Sequence, residues 1–146
     1  MSLANSLRLR LDLEINLIKE QFGSDFELIF DQYSDPYFTG WVTTSYGGNQ
    51  YKLTLNLDQS YPDTKPELYI THPKLLRKYD GGYINDEGTS HAFHTWENSS
   101  DGCIQICHTD NWDASATCLG VLLRGLMWLE FYDAYRRNGG DIDQYC

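Results

Sequence analysis

The chain has 146 residues, 41% hydrophobic and 14% aromatic, which suits one globular domain with its own core rather than a disordered chain. A formal charge of −10, from 11 basic and 21 acidic residues, argues against a nucleic-acid partner gripped through its phosphates and suits a basic partner. The chain has no apolar run long enough to cross a membrane, and Arg8, Arg10, Asp12 and Glu14 interrupt any signal-peptide core, so a cytoplasmic protein with reduced cysteines is expected.

Residues 3–22 read as an amphipathic helix, with Leu7, Leu11, Ile15, Ile18 and Phe22 on one face and Arg8, Asp12, Glu14, Lys19 and Glu20 elsewhere. Gly23 ends it, because glycine enters the left-handed region freely. Phe26 to Phe30 reads as a strand, Asp35-Pro36 as a turn, and Tyr37 to Ser45 as a second strand. Gly47-Gly48-Asn49 turns the chain into Tyr51–Leu57, whose strict alternation is that of a half-buried strand. The proline-braced turn Tyr61-Pro62-Asp63-Thr64-Lys65-Pro66 leads to a fourth strand, Glu67 to Thr71. Gly81-Gly82 and Asp86-Glu87-Gly88 predict a long loop or insertion at about 74–100, and long ordered loops are usually functional. From Ala114 a long helix is expected, with Leu119, Leu122, Leu123, Leu126, Trp128, Leu129 and Phe131 on a broad apolar face, until Asn138-Gly139-Gly140 stops it. The predicted architecture is α+β, a single domain over residues 1–146. It comprises an N-terminal helix, a four-stranded antiparallel meander, an active-site loop and a long C-terminal helix.

The chemistry concentrates in Gly102-Cys103-Ile104-Gln105-Ile106-Cys107-His108. As extended chain, this segment sends Ile104 and Ile106 to one side, toward the core, and Cys103, Gln105 and Cys107 to the other, outward or into a cleft. A cysteine that only fills space is usually ringed by aliphatic residues. Here Gln105, His108, Asp110 and Asn111 make the surroundings polar, which points to a nucleophile, Cys107 or alternatively Cys103. A protonated His108 or His94 nearby would lower the thiol pKa, or a neutral imidazole would act as a base toward an incoming nucleophile. His91, His94 and His108 with the two cysteines also offer four zinc ligands, without the tight C-x-x-C spacing of a zinc knuckle. Cys118 falls inside the apolar helix and reads as core; Cys146 is the last residue. Asp58 and Asp141-Ile142-Asp143 read as solvated surface. There is no glycine-rich phosphate loop and no G-x-S-x-G elbow.

Tyr61-Pro62…Pro66, then Gly102…Ile106-Cys107…Trp112 and a long helix, set behind one helix and four strands, resemble the ubiquitin-conjugating enzymes. The ending Trp128-Leu129-Glu130-Phe131-Tyr132-Asp133-Ala134-Tyr135…Asn138-Gly139 looks like their compact bacterial members, several of which belong to antiphage operons of the CBASS type. The resemblance covers residue 3 to about 137. It implies a thioester transferase in which a cysteine accepts the C-terminal carbonyl of another protein and passes it to an amine. The transferred protein would be a ubiquitin-like protein or a nucleotidyltransferase (CD-NTase) that makes cyclic oligonucleotides, loaded by an activating enzyme. No cofactor, metal, nucleic acid or membrane is implied. Three departures stand beside it. Gln105 occupies the family's usual cysteine position three residues after the glycine, so a two-residue extension is needed to bring Cys107 into the role. The family's His-Pro-Asn tripeptide is absent before the cysteine, where Phe93-His94-Thr95-Trp96 stands, with Asn98 the nearest asparagine, so no oxyanion-stabilising amide is assigned. The loop before the cysteine is longer than usual. The other readings are a non-catalytic binding module of the same fold, favoured by Gln105, and a zinc-stabilised interaction domain.

Overall fold

A computed structural model describes residues 5–30 and 34–145, with side chains described as far as residue 143. The first residues of the expected N-terminal helix and Cys146 lie outside this range.

Helix α1 runs Asn5–Phe22 and ends where Gly23, at φ 62°, donates its N–H to the Lys19 carbonyl at 2.8 Å. Its buried stripe is Leu7, Leu11, Glu14 and Ile18, not the purely apolar stripe expected. Ile15 lies at the surface, and Glu14 is wholly buried. A carboxylate takes the inner position because hydrogen-bond donors from two other elements meet it there.

The sheet has six strands, not four. They are β1 (Phe26–Ile29), β2 (Tyr37–Thr43), β3 (Gln50–Asn56), β4 (Glu67–His72), β5 (Thr95–Trp96) and β6 (Ile104–Ile106), all antiparallel, in the order β1-β2-β3-β4-β6-β5. The two extra strands have two and three residues, too short for alternation to show in sequence. They are held by pairing, Leu68 opposite Ile106 and Ile106 opposite Thr95. One face carries Leu53, Leu55, Leu68, Ile70, Ile104 and Ile106, each essentially without solvent exposure.

Helix α2 (Cys118–Asn138) lies over that face. It begins later than the apolar pattern suggested. Residues 113–116 form a turn in which Asp113 accepts from the Ser115 N–H at 2.8 Å, and the Thr117 hydroxyl caps the helix by accepting from Gly120 N at 3.1 Å. Leu123, expected in the core, is 37% exposed, and the inward face is Val121, Leu122, Gly125, Trp128, Leu129 and Tyr132. Gly125 permits the close approach, since a Cβ there would stand 2.6 Å from Leu68 Cδ2.

The segment 74–100 is ordered by side-chain ties. Asn85 donates to the carbonyls of Lys74 at 2.7 Å and Gly102 at 2.9 Å while accepting from Leu76 N at 3.0 Å. Tyr132 and Tyr135 of α2 bond to Arg77 O and Tyr79 N, both at 2.8 Å. No helix among the described residues is long and apolar enough to cross a membrane.

Candidate functional site

The two motifs that stood apart in sequence clasp each other. The Trp112 indole N–H donates to Pro62 O at 2.7 Å, and the His108 ring bonds Pro66 O through Nε2 at 2.8 Å. His108 is 97% buried, packed edge-on against Trp96 and Trp112. Burial pushes its pKa down, Lys65 and Arg124 adding to the effect against the opposing Pro66 bond, so the ring is neutral near pH 7. A neutral ring already committed to a carbonyl cannot be the imidazolium that activates a thiol. His108 ties the segment after β6 to the proline turn, and it also lines the cleft that Cys107 lines.

Strand β6 lies between β4 and β5, so both of its edges are paired, and all three of its residues are buried. Cys103 and Gln105, expected to face outward or into a cleft, are 4% and 7% exposed. The Cys103 N–H donates to the Ser99 hydroxyl oxygen at 2.9 Å, and burial raises its thiol pKa. Cys107, just past the end of the strand, is half-buried and lines a cleft of about 460 Å³ between this end of β6 and the middle of α2. The other walls include His94, Asn111, Arg124, Met127 and Phe131. Met127 is half exposed at its rim.

The Cys107 N–H donates to the His94 carbonyl at 2.9 Å, which places the two residues side by side across β5 and β6. Among the described residues His94 is the one non-glycine with positive φ, 52°. Such a conformation persists only where the surroundings enforce it. Here Phe93 is buried with its carbonyl bonded to the Trp128 indole at 2.8 Å, and β5 starts immediately afterwards. The His94 Nε2 lies 2.5 Å from Asp143 Oδ1. Asp143 belongs to a 3₁₀ turn, Ile142–Tyr145, whose Ile142 is fully buried, and its N–H donates to Ala92 O at 3.0 Å. Asp141 and Asp143 are exposed, as read from the sequence, and Asp143 is 48% exposed even in its contact with His94; only Ile142 departs from the surface reading, by being buried. Only the buried isoleucine between two aspartates hinted in sequence that this tail folds back.

Burial raises the Cys107 pKa, Asp110 raises it further, and Lys65 and the Thr109 N–H oppose them. The thiol is accessible but mostly protonated at neutral pH. Asp110→Asn removes a charge that disfavours the thiolate, so the midpoint of iodoacetamide alkylation of Cys107 moves to lower pH. At pH 7.5 the rate should rise roughly two- to fivefold, the effect of a partly exposed pair worth ~0.5–1 kcal/mol. An unchanged or slower rate contradicts this reading of the charges.

Cys103, Cys107 and Cys118 are free thiols, and no group of three or more histidine, cysteine, aspartate or glutamate side chains among the described residues is arranged to hold a metal. The zinc arrangement considered from spacing is not formed: His108 is turned to Pro66 and His94 to Asp143. No protein-family model matches the chain, and comparison with curated proteins finds no match.

Proposed function

We propose that the protein is a cysteine acyl carrier of the ubiquitin-conjugating type, with Cys107 as nucleophile. The observation that carries the reading is a partly exposed thiol on the wall of an open cleft that also holds an imidazole and an apolar rim of Met127 and Phe131. An extended C-terminal tail could lie along that rim with its carbonyl carbon at the sulfur. The Cys107 thiolate attacks the thioester carbonyl carried by the activating enzyme, a new C–S bond forms, the donor's C–S bond breaks and its thiolate leaves. An amine later forms a C–N bond to the carbonyl, the C–S bond to Cys107 breaks, and the proton lost by the nitrogen restores the thiol. The tail would belong to a ubiquitin-like protein or to a cyclic-oligonucleotide synthase, supplied by an activating enzyme in an antiphage operon. A His-Pro pair does follow the proline turn, His72-Pro73, with Lys74 in place of asparagine. Lys74 lies against Gly102 and favours the Cys103 thiolate, but Cys103 itself is shut from solvent.

The experiment is acylation with p-nitrophenyl acetate at pH 8 followed by peptide mass spectrometry. One acetyl group, labile to hydroxylamine, is expected on Cys107. Acetylation spread over lysines with none on Cys107 removes the reading. What would then stand is a binding module, the alternative favoured by the buried Gln105 at the family's cysteine position and by raised pKa values at both thiols.

A further inference from the structure

The cleft holds more of a catalytic apparatus than a thiol. Cys107 and His94 both line it and are joined through the backbone, while Asp143, from the far end of the chain, meets His94 at Nε2. A carboxylate accepting from Nε2 keeps the proton on that nitrogen, so the neutral ring carries its free lone pair on Nδ1. Backbone contacts place both residues, whose side chains are 29% and 48% exposed. His94 is fixed by its left-handed backbone and by β5, and Asp143 by buried Ile142 and the bond to Ala92 O. The contact with His94 also keeps the Asp143 carboxyl below its usual range, with His91 contributing, so Asp143 is an anion at neutral pH. The charges that bear on the Cys107 thiol are those of Asp110 and Lys65. An imidazole held by a carboxylate on the wall of the thiol's cleft is placed to act on the group that attacks there.

We propose that His94 is the general base for the amine that discharges Cys107, and that Asp143 is the residue that positions it. This deepens the acyl-carrier reading and rests on it. The attacking amine forms a C–N bond to the thioester carbonyl, and His94 Nδ1 takes the proton that the nitrogen loses. The C–S bond breaks with its electron pair on sulfur, and the imidazolium returns the proton to the thiolate. Thioester and amine become amide and thiol, with no other reactant. Nucleophile, base and orienting carboxylate come from three separate places in the chain: the strand β6 end, the turn before β5, and the C-terminal 3₁₀ turn. The C-terminal turn is thus part of the site.

The test starts from protein already acetylated on Cys107, so that the loading step does not enter, and follows loss of the acetyl group to free lysine by intact mass. Asp143→Asn should slow discharge about tenfold, a fraction of the ~10²–10⁴ that a general base contributes, and Asp143→Glu should recover part of the rate. His94→Gln should slow it further, and adding Asp143→Asn to His94→Gln should change nothing more, because a positioning residue has no effect once its base is gone. The ¹⁵N shifts of the His94 ring in the free protein should show a protonated Nε2 and a bare Nδ1 in the wild type and a mixture of tautomers in Asp143→Asn. Wild-type discharge in Asp143→Asn, additive losses in the double variant, or an unaltered ring spectrum each overturn the proposal. Failure of Cys107 to acetylate at all removes the carrier reading, and the proposal with it; normal loading with unaltered discharge removes only the roles of His94 and Asp143.

Discussion

Replacing Cys107 with alanine should lower acyl loading by at least about 100-fold, because knocking out a nucleophile removes most of the rate it supports. Cys103→Ala should leave loading within about twofold, since only a thiol reachable by the donor and able to ionise reacts. The contrast follows from position on one short segment. Cys103 precedes β6, is 4% exposed, and is enclosed by Ser99, Asp101 and Gly102. Cys107 follows β6, where the chain leaves the sheet and the cleft begins. Both thiols have raised pKa values, so ionisation alone does not separate them; access does. The measurement is acetyl incorporation per residue by peptide mass spectrometry, at a pH where both variants are folded. Loading that survives Cys107→Ala and vanishes with Cys103→Ala would move the nucleophile to the other thiol and require the sheet edge to open.

The second large effect concerns stability. Glu14→Ala should destabilise the fold by about 3–4 kcal/mol, within the ~3–5 kcal/mol seen when one member of a buried charged pair is removed. Glu14 is wholly buried on α1 and accepts from Tyr61 O–H and from the Cys118 N–H, the latter at 2.9 Å, at the very start of α2. Its Oε2 lies 3.8 Å from Arg10 Nε, and Arg10 also donates to Ala116 O at 2.6 Å. One carboxylate thus joins the first helix, the proline turn and the second helix, at the positive end of the α2 dipole. Truncation leaves the Tyr61 hydroxyl and a helix N–H without their acceptor and removes the carboxylate beside the Arg10 charge. Burial, with Cys118 and Glu14 reinforcing it, already raises the Tyr61 pKa, so the phenol stays a donor. Glu14→Gln should lose about half as much, because the amide oxygen still accepts while the charge is gone. Urea unfolding at pH 7 measures both, and a loss below about 1 kcal/mol for Glu14→Ala would mean that the network relaxes around the gap.

The long elements were legible in the sequence because each repeats its period often enough. Five apolar positions spaced three or four apart mark α1, seven alternating residues mark β3, and the run from Leu119 to Phe131 marks α2. The thiol segment was legible too, as a cysteine among polar neighbours ahead of a tryptophan. Periodicity could not find β5 and β6, which have two and three residues and exist through their pairing. Nor could it tell which members of an apolar stripe lie inward: Ile15 and Leu123 fit the pattern yet face solvent, while Glu14 is internal.

By itself, then, the amino-acid order determined the α+β class, the two helices, the first four strands and the two thiols worth considering, since these follow from local spacing and residue type. Only the tertiary structure decided between the thiols, turned His108 inward as a neutral tie to Pro66, and brought Asp143 from the end of the chain to His94. Solvent access and side-chain partnership depend on contacts between residues far apart along the chain, such as the 49 positions that separate His94 from Asp143, and no local pattern encodes them.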